Sequence, residues 1–458
     1  MLDSESPLFI RREPSSDGTA QICISVNSTF PYSENNPDPT YRDIKLKIFA
    51  AANAKEILDF IMDKSGLIDK PSEIPKDVIF NNPLWNTYST YGEVIALPHV
   101  NEISSMIEKQ GYFNSELLLN CRWEINRGDF KFHPGLFGSA RDMINNLHNQ
   151  RFRVKVPVYP IIYDPANQQA RRELFVKTKN GALTQFIDFG NDEAAGYYKT
   201  ELERLYYESG IDSVFITSEQ LTDFKLENYT MENLPNFMVQ RYIETVASVM
   251  HDSTSTLAFK TQSLPLLVQM TPATTTTPFD QLLQNLIPNA LSISMAGYSF
   301  FIPYHIGGHW AGARPSEEIY IRMVQASTLM PTMSFSIGPW LYSQQTIDIT
   351  RKMINLHAKY GSLFIELAKK RKENGTPIIR PMWYEAPDEQ QSFTVSDQFM
   401  LGDDIIVAPV VEIGQRQRSV FVPDGEWLDE AHGRVLKGPG VFKVVADLED
   451  LPHFIRKK

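Results

Sequence analysis

The sequence predicts an α/β fold: a (β/α)8 TIM barrel with a short β segment before it and an antiparallel β domain after it. Three observations predict it. Over residues 80–376, apolar extended runs alternate with amphipathic helical ones, the pattern of a parallel sheet with helical crossovers. Residues 377–458 change to short apolar runs broken by Gly and Pro turns, which suits antiparallel strands. Residues 1–66 mix strand-like alternation with loop composition and are too few to bury two faces of their own.

Taken in order, Ala20–Val26 and Ile44–Phe49 alternate like strands, with a loop at Ser33–Pro39 between them and a short amphipathic helix at Ala54–Asp63. In the barrel section, strands are expected at Leu84–Tyr91, Glu116–Trp123, Phe152–Ile162, just after Gly210, within Leu257–Met270 and at Tyr298–Pro303. Helices are expected at Pro98–Gln110, Ser139–Asn149, Ala194–Ser209, Leu234–His251, Ser316–Ser327 and Thr346–Lys372, with another starting near Gln281. Thr271–Pro278 reads as a loop, because Pro and β-branched Thr disfavour a helix. Further on, Gln398–Leu401, Ile405–Val411 and Arg418–Val422 read as strands, and Pro423–Trp427 as a turn.

With 458 residues, 42% of them hydrophobic, the chain can bury a large core in two or three domains. A net charge of −11 argues against nucleic acid or an anionic membrane surface as the main partner. Two cysteines, Cys23 and Cys121, make no disulfide framework and no CxxC motif. Sequons at Asn27, Asn228 and Asn374 are close to chance for this length. Met1–Glu5 is acidic where a signal peptide needs a basic start, and no apolar run approaches the ~18 residues of a membrane span.

Three ordered C-terminal blocks carry a resemblance. Ile379–Tyr384 is similar to an Arg-Pro-Leu-aromatic-aromatic block, and Asp397–Val410 to Asp-Gln-Phe-Leu-Leu-Gly-x-x-Leu-Leu-Val-Ala-Pro-Val. Val420–Trp427 is similar to Val-Tyr-Leu-Pro-x-Gly-x-Trp. These belong to glycoside hydrolase family 31. Barrel segments follow in order: Gly128–Phe130, Arg172–Val176, Ala296–Tyr298, Ile306–Gly308 and Ile321–Arg322. Ser334–Trp340 resembles the branch that contains myogenesis-regulating glycosidase and SITS-binding protein. The resemblance covers residues 80–458 and implies three parts: residues 1–66 as part of an N-terminal β-sandwich, 80–376 as the barrel and 377–458 as the C-terminal β domain. It also implies a secretory or membrane-associated setting, with any membrane anchor outside this sequence.

The same resemblance supplies the site. Retaining members need two carboxylates about 5–5.5 Å apart. The nucleophile strand normally ends Phe-Lys-Phe-Asp; Val214, Phe215, Ile216 and Thr217 stand there instead. A threonine hydroxyl is neutral and weakly nucleophilic unless a base activates it. Glu219 is the candidate replacement carboxylate, weighed against a solvated loop residue. Asp280 occupies the acid/base position, weighed against a helix cap. Asn120 and Cys121 replace sugar-holding aspartates, and His305 replaces the aspartate before the paired glycines. Trp85, Tyr88, Trp123 and Trp310 are candidate sugar-stacking aromatics, with core packing as the plain alternative, and Arg322 a further substrate contact. Cys121 with His305 is a candidate Cys–His pair, weighed against inert packing. His305 and His309 have i, i+4 spacing, but Gly307 and Gly308 oppose a helix, so no metal is expected. No cofactor is expected. The expectation is a non-catalytic, carbohydrate-related scaffold that binds a glycan, another small ligand or a protein. The alternative is an active retaining α-glycosidase using Asp280 with a displaced nucleophile such as Glu219.

Overall fold

The computed structural model describes the chain apart from residues 1, 4–7, 15–19, 27–44, 47–48, 113–114, 121, 163–170, 179–182, 218–228, 231–234 and 273–276. Eight short strands form the barrel: β1 (Leu84–Asn86), β2 (Glu116–Leu118), β3 (Arg153–Val158), β4 (Ser213–Ile216), β5 (Thr254–Ser255), β6 (Leu267–Gln269), β7 (Phe301–Ile302) and β8 (Ser334–Phe335). Neighbours in sequence are neighbours in the sheet, β8 lies beside β1, and all pairs are parallel. A parallel bridge between Ile306 and Phe335 joins the two ends of the order and closes the ring. Helices follow the strands, among them Leu97–Lys109, Ala140–Asn149, Asp192–Ser209, Pro235–Ala247, Phe279–Met295 and Glu317–Thr328.

In β1, Leu84, Trp85 and Asn86 all border the lumen, and the Trp85 ring packs against aromatic neighbours. It stacks on Phe335 at 5.0 Å and tilts against Trp340 at 5.6 Å. The expected strand Leu84–Tyr91 stops at Asn86, and Tyr88–Tyr91 turns helical.

The C-terminal domain is one antiparallel sheet of β9 (Ile379–Arg380), β10 (Phe399–Leu401), β11 (Ile405–Val407), β12 (Gln417–Asp429), β13 (Val435–Val445) and β14 (His453–Arg456), in the order β9-β10-β11-β14-β12-β13. Its own core gathers Met382, Met400, Ile406, Val422, Trp427 and Phe454. Pro423–Trp427, expected as a turn, lies inside β12, where the register with β13 shifts between Val422 and Gly425. The chain bulges there and stays in the sheet, and Trp427 Nε1 donates to Pro423 O at 3.1 Å. In the N-terminal segment, Leu8–Pro14 pairs antiparallel with Ala20–Val26, and Leu2–Asp3 with Lys45–Leu46. Among the described residues no helix is long and apolar enough to cross a membrane.

Candidate functional site

Residues just past the C-terminal ends of barrel strands form the mouth, where a (β/α)8 barrel carries its chemistry. Thr217 follows β4. Its backbone N–H donates to Val158 O at 3.0 Å and its hydroxyl donates to the same oxygen at 2.7 Å. Tyr242 Oη also donates to Val158 O, at 3.1 Å. The Thr217 hydroxyl therefore joins β4 to β3, and its proton is spent on a carbonyl that cannot act as a base. Asn120 stands two residues past β2, its backbone held by Thr87 Oγ1 at 3.1 Å.

His305 is buried after β7. Tyr88 N donates to Asn86 Oδ1 at 2.9 Å, which turns Asn86 Nδ2 toward His305 Nε2 at 3.1 Å. That nitrogen accepts, so His305 carries its proton on Nδ1 and donates to Ser334 Oγ at 2.7 Å. Both ring nitrogens are thus occupied, and burial pushes His305 down to about 4. Its backbone N–H donates to His309 Nε2 at 3.1 Å. His309 is likewise held well below the usual histidine range, by burial and by the neighbouring His305 ring.

Beside these histidines, the half-buried Trp310 meets His309 at 6.1 Å and Phe279 at 6.4 Å, both edge to face. A Cβ on Gly308 would sit 2.6 Å from Phe279 Cε1, so only glycine admits this approach. Phe279 opens the helix Phe279–Met295, capped by Pro278, and Asp280 follows it as an exposed first-turn acid. Asp280 is thus not the N-cap expected for a helix starting near Gln281; the helix begins two residues earlier. A first-turn carboxylate still interacts favourably with the helix dipole. Asp280, Trp310 and His305 are brought to one side of the mouth through Phe279 and His309.

Deeper in the lumen the character reverses. Lys155 Nζ lies 2.7 Å from Glu116 Oε1, and donates to Thr254 Oγ1 at 2.7 Å and to Asp252 O at 3.2 Å. Arg153 meets Asp252 at 3.1 Å. Phe215 faces this lumen together with the polar Asn86, Gln269 and Ser334. None of the buried pair was singled out from sequence, because β2 and β3 read as apolar strands.

A further carboxyl was missed. Glu124, half-buried past β2, accepts from Phe130 N at 3.2 Å. Burial pushes it up to about 8, against the lowering effect of the Gly128 and Phe130 amides. The Glu-Ile-Asn-Arg-Gly-Asp run gave no sign of this, since the closure of the loop onto Ile161 is a tertiary contact.

Several expected contacts are corrected. Trp123 is fully buried, donates through Nε1 to Pro157 O at 2.7 Å and packs on Phe132 at 4.7 Å. Trp85 is equally buried, so neither ring joins Trp310 in a sugar-stacking floor. Arg322 is buried in the helix Glu317–Thr328, where it donates to Gln415 O at 2.8 Å, Ala446 O at 3.3 Å and Gln325 Oε1 at 2.9 Å. It clamps the barrel to the C-terminal domain and is not a mouth residue. Cys121 and Glu219 lie outside the described residues, so the Cys–His pair and the replacement nucleophile do too. Among the described residues no three His, Cys, Asp or Glu side chains gather as a metal site requires.

Residues 85–361 match the family model of the glycosyl hydrolases family 31 TIM-barrel domain, and residues 375–458 that of the glycosyl hydrolase family 31 C-terminal domain. The chain is similar to myogenesis-regulating glycosidase of Mus musculus, 29% identical over 409 residues, which is 84% of this chain and 56% of that protein. It is similar to SITS-binding protein of Tetronarce californica, 29% identical over 302 residues, 62% of this chain and 42% of the relative. Its fold is that of a Flavobacterium johnsoniae GH31 dextranase complexed with glucose, with a TM-score of 0.79 at 20% identity over 89% of this chain and 54% of that one. The chain spans about half the length of the curated relatives it matches.

Proposed function

Because the chain belongs to glycosyl hydrolase family 31, we propose that it is a carbohydrate-related scaffold whose barrel mouth binds a glycan or other small neutral ligand without hydrolysing it. One observation carries the reading: the Thr217 hydroxyl, at the place where the family's nucleophile strand ends in aspartate, donates at 2.7 Å to Val158 O. A retaining mechanism needs a carboxylate there, to attack the anomeric carbon and to stabilise the positive charge that develops on the sugar. A neutral hydroxyl bonded to a strand carbonyl does neither. The neutral His305 and His309, the Asn120 in place of aspartate and the lumen-facing Phe215 support the same reading, since polar but uncharged groups suit a neutral ligand.

A second reading keeps one specific observation. Asp280 is exposed at the head of its helix next to Phe279 and Trp310, where a proton donor to a leaving oxygen would be reachable. With Glu219 as the second carboxylate, the chain would be a working retaining α-glycosidase.

One sample distinguishes them. Methyl α-glucoside, α-galactoside and α-xyloside are mixed with the protein and followed by saturation-transfer NMR. Transfer to one of them with no free sugar after a day is the expected result. Free sugar that is absent with Asp280→Asn would support the second reading, and no transfer to any glycoside would oppose the first.

A further inference from the structure

Among the described residues the i, i+4 pair His305 and His309 belongs to no metal-binding cluster, and the geometry of His309 gives it another use. Its Nε2 accepts the backbone N–H of His305 at 3.1 Å. A nitrogen that accepts carries no proton, so the proton of the neutral ring sits on Nδ1. Among the described residues the only hydrogen bond of the ring is the one at Nε2, and His309 as a whole is half-buried. The ring is packed in place: His305 lies 4.7 Å away and Tyr304 5.8 Å away, with Tyr304 Oη in turn held by Asn289 Nδ2 at 2.6 Å. Trp310 lies 6.1 Å from the His309 ring and in turn meets Phe279 at 6.4 Å. The result is an oriented, uncharged N–H donor beside the half-buried Trp310, with Phe279 against that indole.

We propose that His309 is a ligand-binding residue of the barrel mouth, donating from Nδ1 to one hydroxyl or ring oxygen of a neutral glycoside whose C–H face lies against Trp310. This rests on the reading of the mouth as a carbohydrate site and adds the residue that orients the sugar. The chemistry selects among ligands. A donor-only, uncharged group beside an aromatic ring suits a pyranose with one apolar face. It offers an anionic ligand no counter-charge, since partial desolvation and the neighbouring His305 ring hold His309 well below the usual histidine range.

Two measurements test it. The first is the ¹⁵N spectrum of the histidine side chains, assigned with His309→Phe. A protonated Nδ1 and bare Nε2 on His309 are expected; the opposite tautomer overturns the proposal before any ligand is added. The second is titration of wild type and His309→Phe with the methyl α-glycoside that binds best and with its monodeoxy analogues. In wild type, removing one particular hydroxyl should weaken binding about 5–10-fold, the worth of one hydrogen bond. In His309→Phe the parent glycoside should weaken by a similar factor, and that deoxy analogue should bind no worse than the parent. A purely structural role would weaken all analogues together and keep their ranking, which overturns the proposal. Unchanged binding in His309→Phe overturns it as well, while leaving the carbohydrate reading intact. If wild type binds no glycoside, the carbohydrate reading falls and this inference with it.

Discussion

The lumen and the mouth of this barrel are only a few residues apart, yet they treat charge in opposite ways. In the lumen, Lys155 and Glu116 are in contact at 2.7 Å, and Lys155 is tied through Asp252 O to the Arg153–Asp252 pair. At the mouth, Thr217 and Asn120 are neutral by residue type, and His305 and His309 are neutral because burial holds them so. Among the described residues named there, Asp280 is the exception, and it is exposed at a helix head. Charge is present where the fold itself supplies the partner and scarce where a ligand would have to supply it. A buried ion pair answers to the protein's own geometry. An unpaired carboxylate at the mouth has to be held for something else, which in a glycosidase is catalysis.

The sharpest way to break the comparison is to remove half of the lumen pair. Glu116→Ala should cost about 3–5 kcal/mol, because it strands the buried Lys155. The double variant Glu116→Leu with Lys155→Met should regain most of that. Urea unfolding of the three proteins measures it. A single variant within about 1 kcal/mol of wild type would mean the lumen charges are not interlocked.

The next effect concerns Glu124, a carboxyl whose own environment opposes its charge. Its folded value, about 8, lies above the unfolded value of 4.5. The folded state therefore holds the proton more tightly than the unfolded chain. Its stabilising contribution is full below about pH 4.5 and declines as pH rises toward 8. Glu124→Gln should remove that slope. Relative to wild type it should gain roughly 1–2 kcal/mol at pH 8 over its value at pH 5, after allowance for the solvent that reaches this half-buried group. Thermal melts at the two pH values decide it. A constant difference between variant and wild type would contradict the assignment.

His305 runs the other way. Its folded value, about 4, lies below the ordinary 6.5. The stability tied to its neutral form is present above pH 6.5 and is lost as pH falls toward 4. His305→Gln should flatten the acid limb of the melting curve in that window, and an unchanged limb would count against a neutral, buried ring.

The smallest effect belongs to the mouth threonine. Thr217→Val, which keeps the shape and deletes the hydroxyl, should cost about 1 kcal/mol, one hydrogen bond to a carbonyl. A cost beyond about 3 kcal/mol would make Thr217 a central support of the barrel and not a small joint between β3 and β4.

The fold was legible where pattern and motif act locally. The β9–β14 domain followed from the Asp397–Val410 and Val420–Trp427 blocks, and the barrel from its alternating runs. Breaks that depend on packing were not legible. Thr346–Lys372 reads as one helix, but it is two, Gln344–Lys359 and Gly361–Asn374. A Cβ on Gly361 would lie 1.8 Å from Asn81 Oδ1. The glycine is there to let another segment in, which periodicity does not show. The site divides the same way. Thr217 and Asp280 stood out because their places in the motif are local. The Asn86–His305–Ser334 chain joins residues from three separate parts of the barrel, and only closure of the ring puts them together. Arg322 and Trp123 were misplaced because a motif gives a residue its position but not the direction its side chain takes.

The most direct test of the account is turnover of aryl α-glucosides, α-galactosides and α-xylosides by the purified, cooperatively melting chain, with Asp280→Asn alongside and Thr217→Asp as a third sample. The account predicts no aglycone release by wild type above the Asp280→Asn control. It also predicts none from Thr217→Asp, because Phe215, Asn120 and the neutral histidines would still surround the restored carboxylate. Release by wild type that vanishes in Asp280→Asn would contradict it and make this chain a working glycosidase.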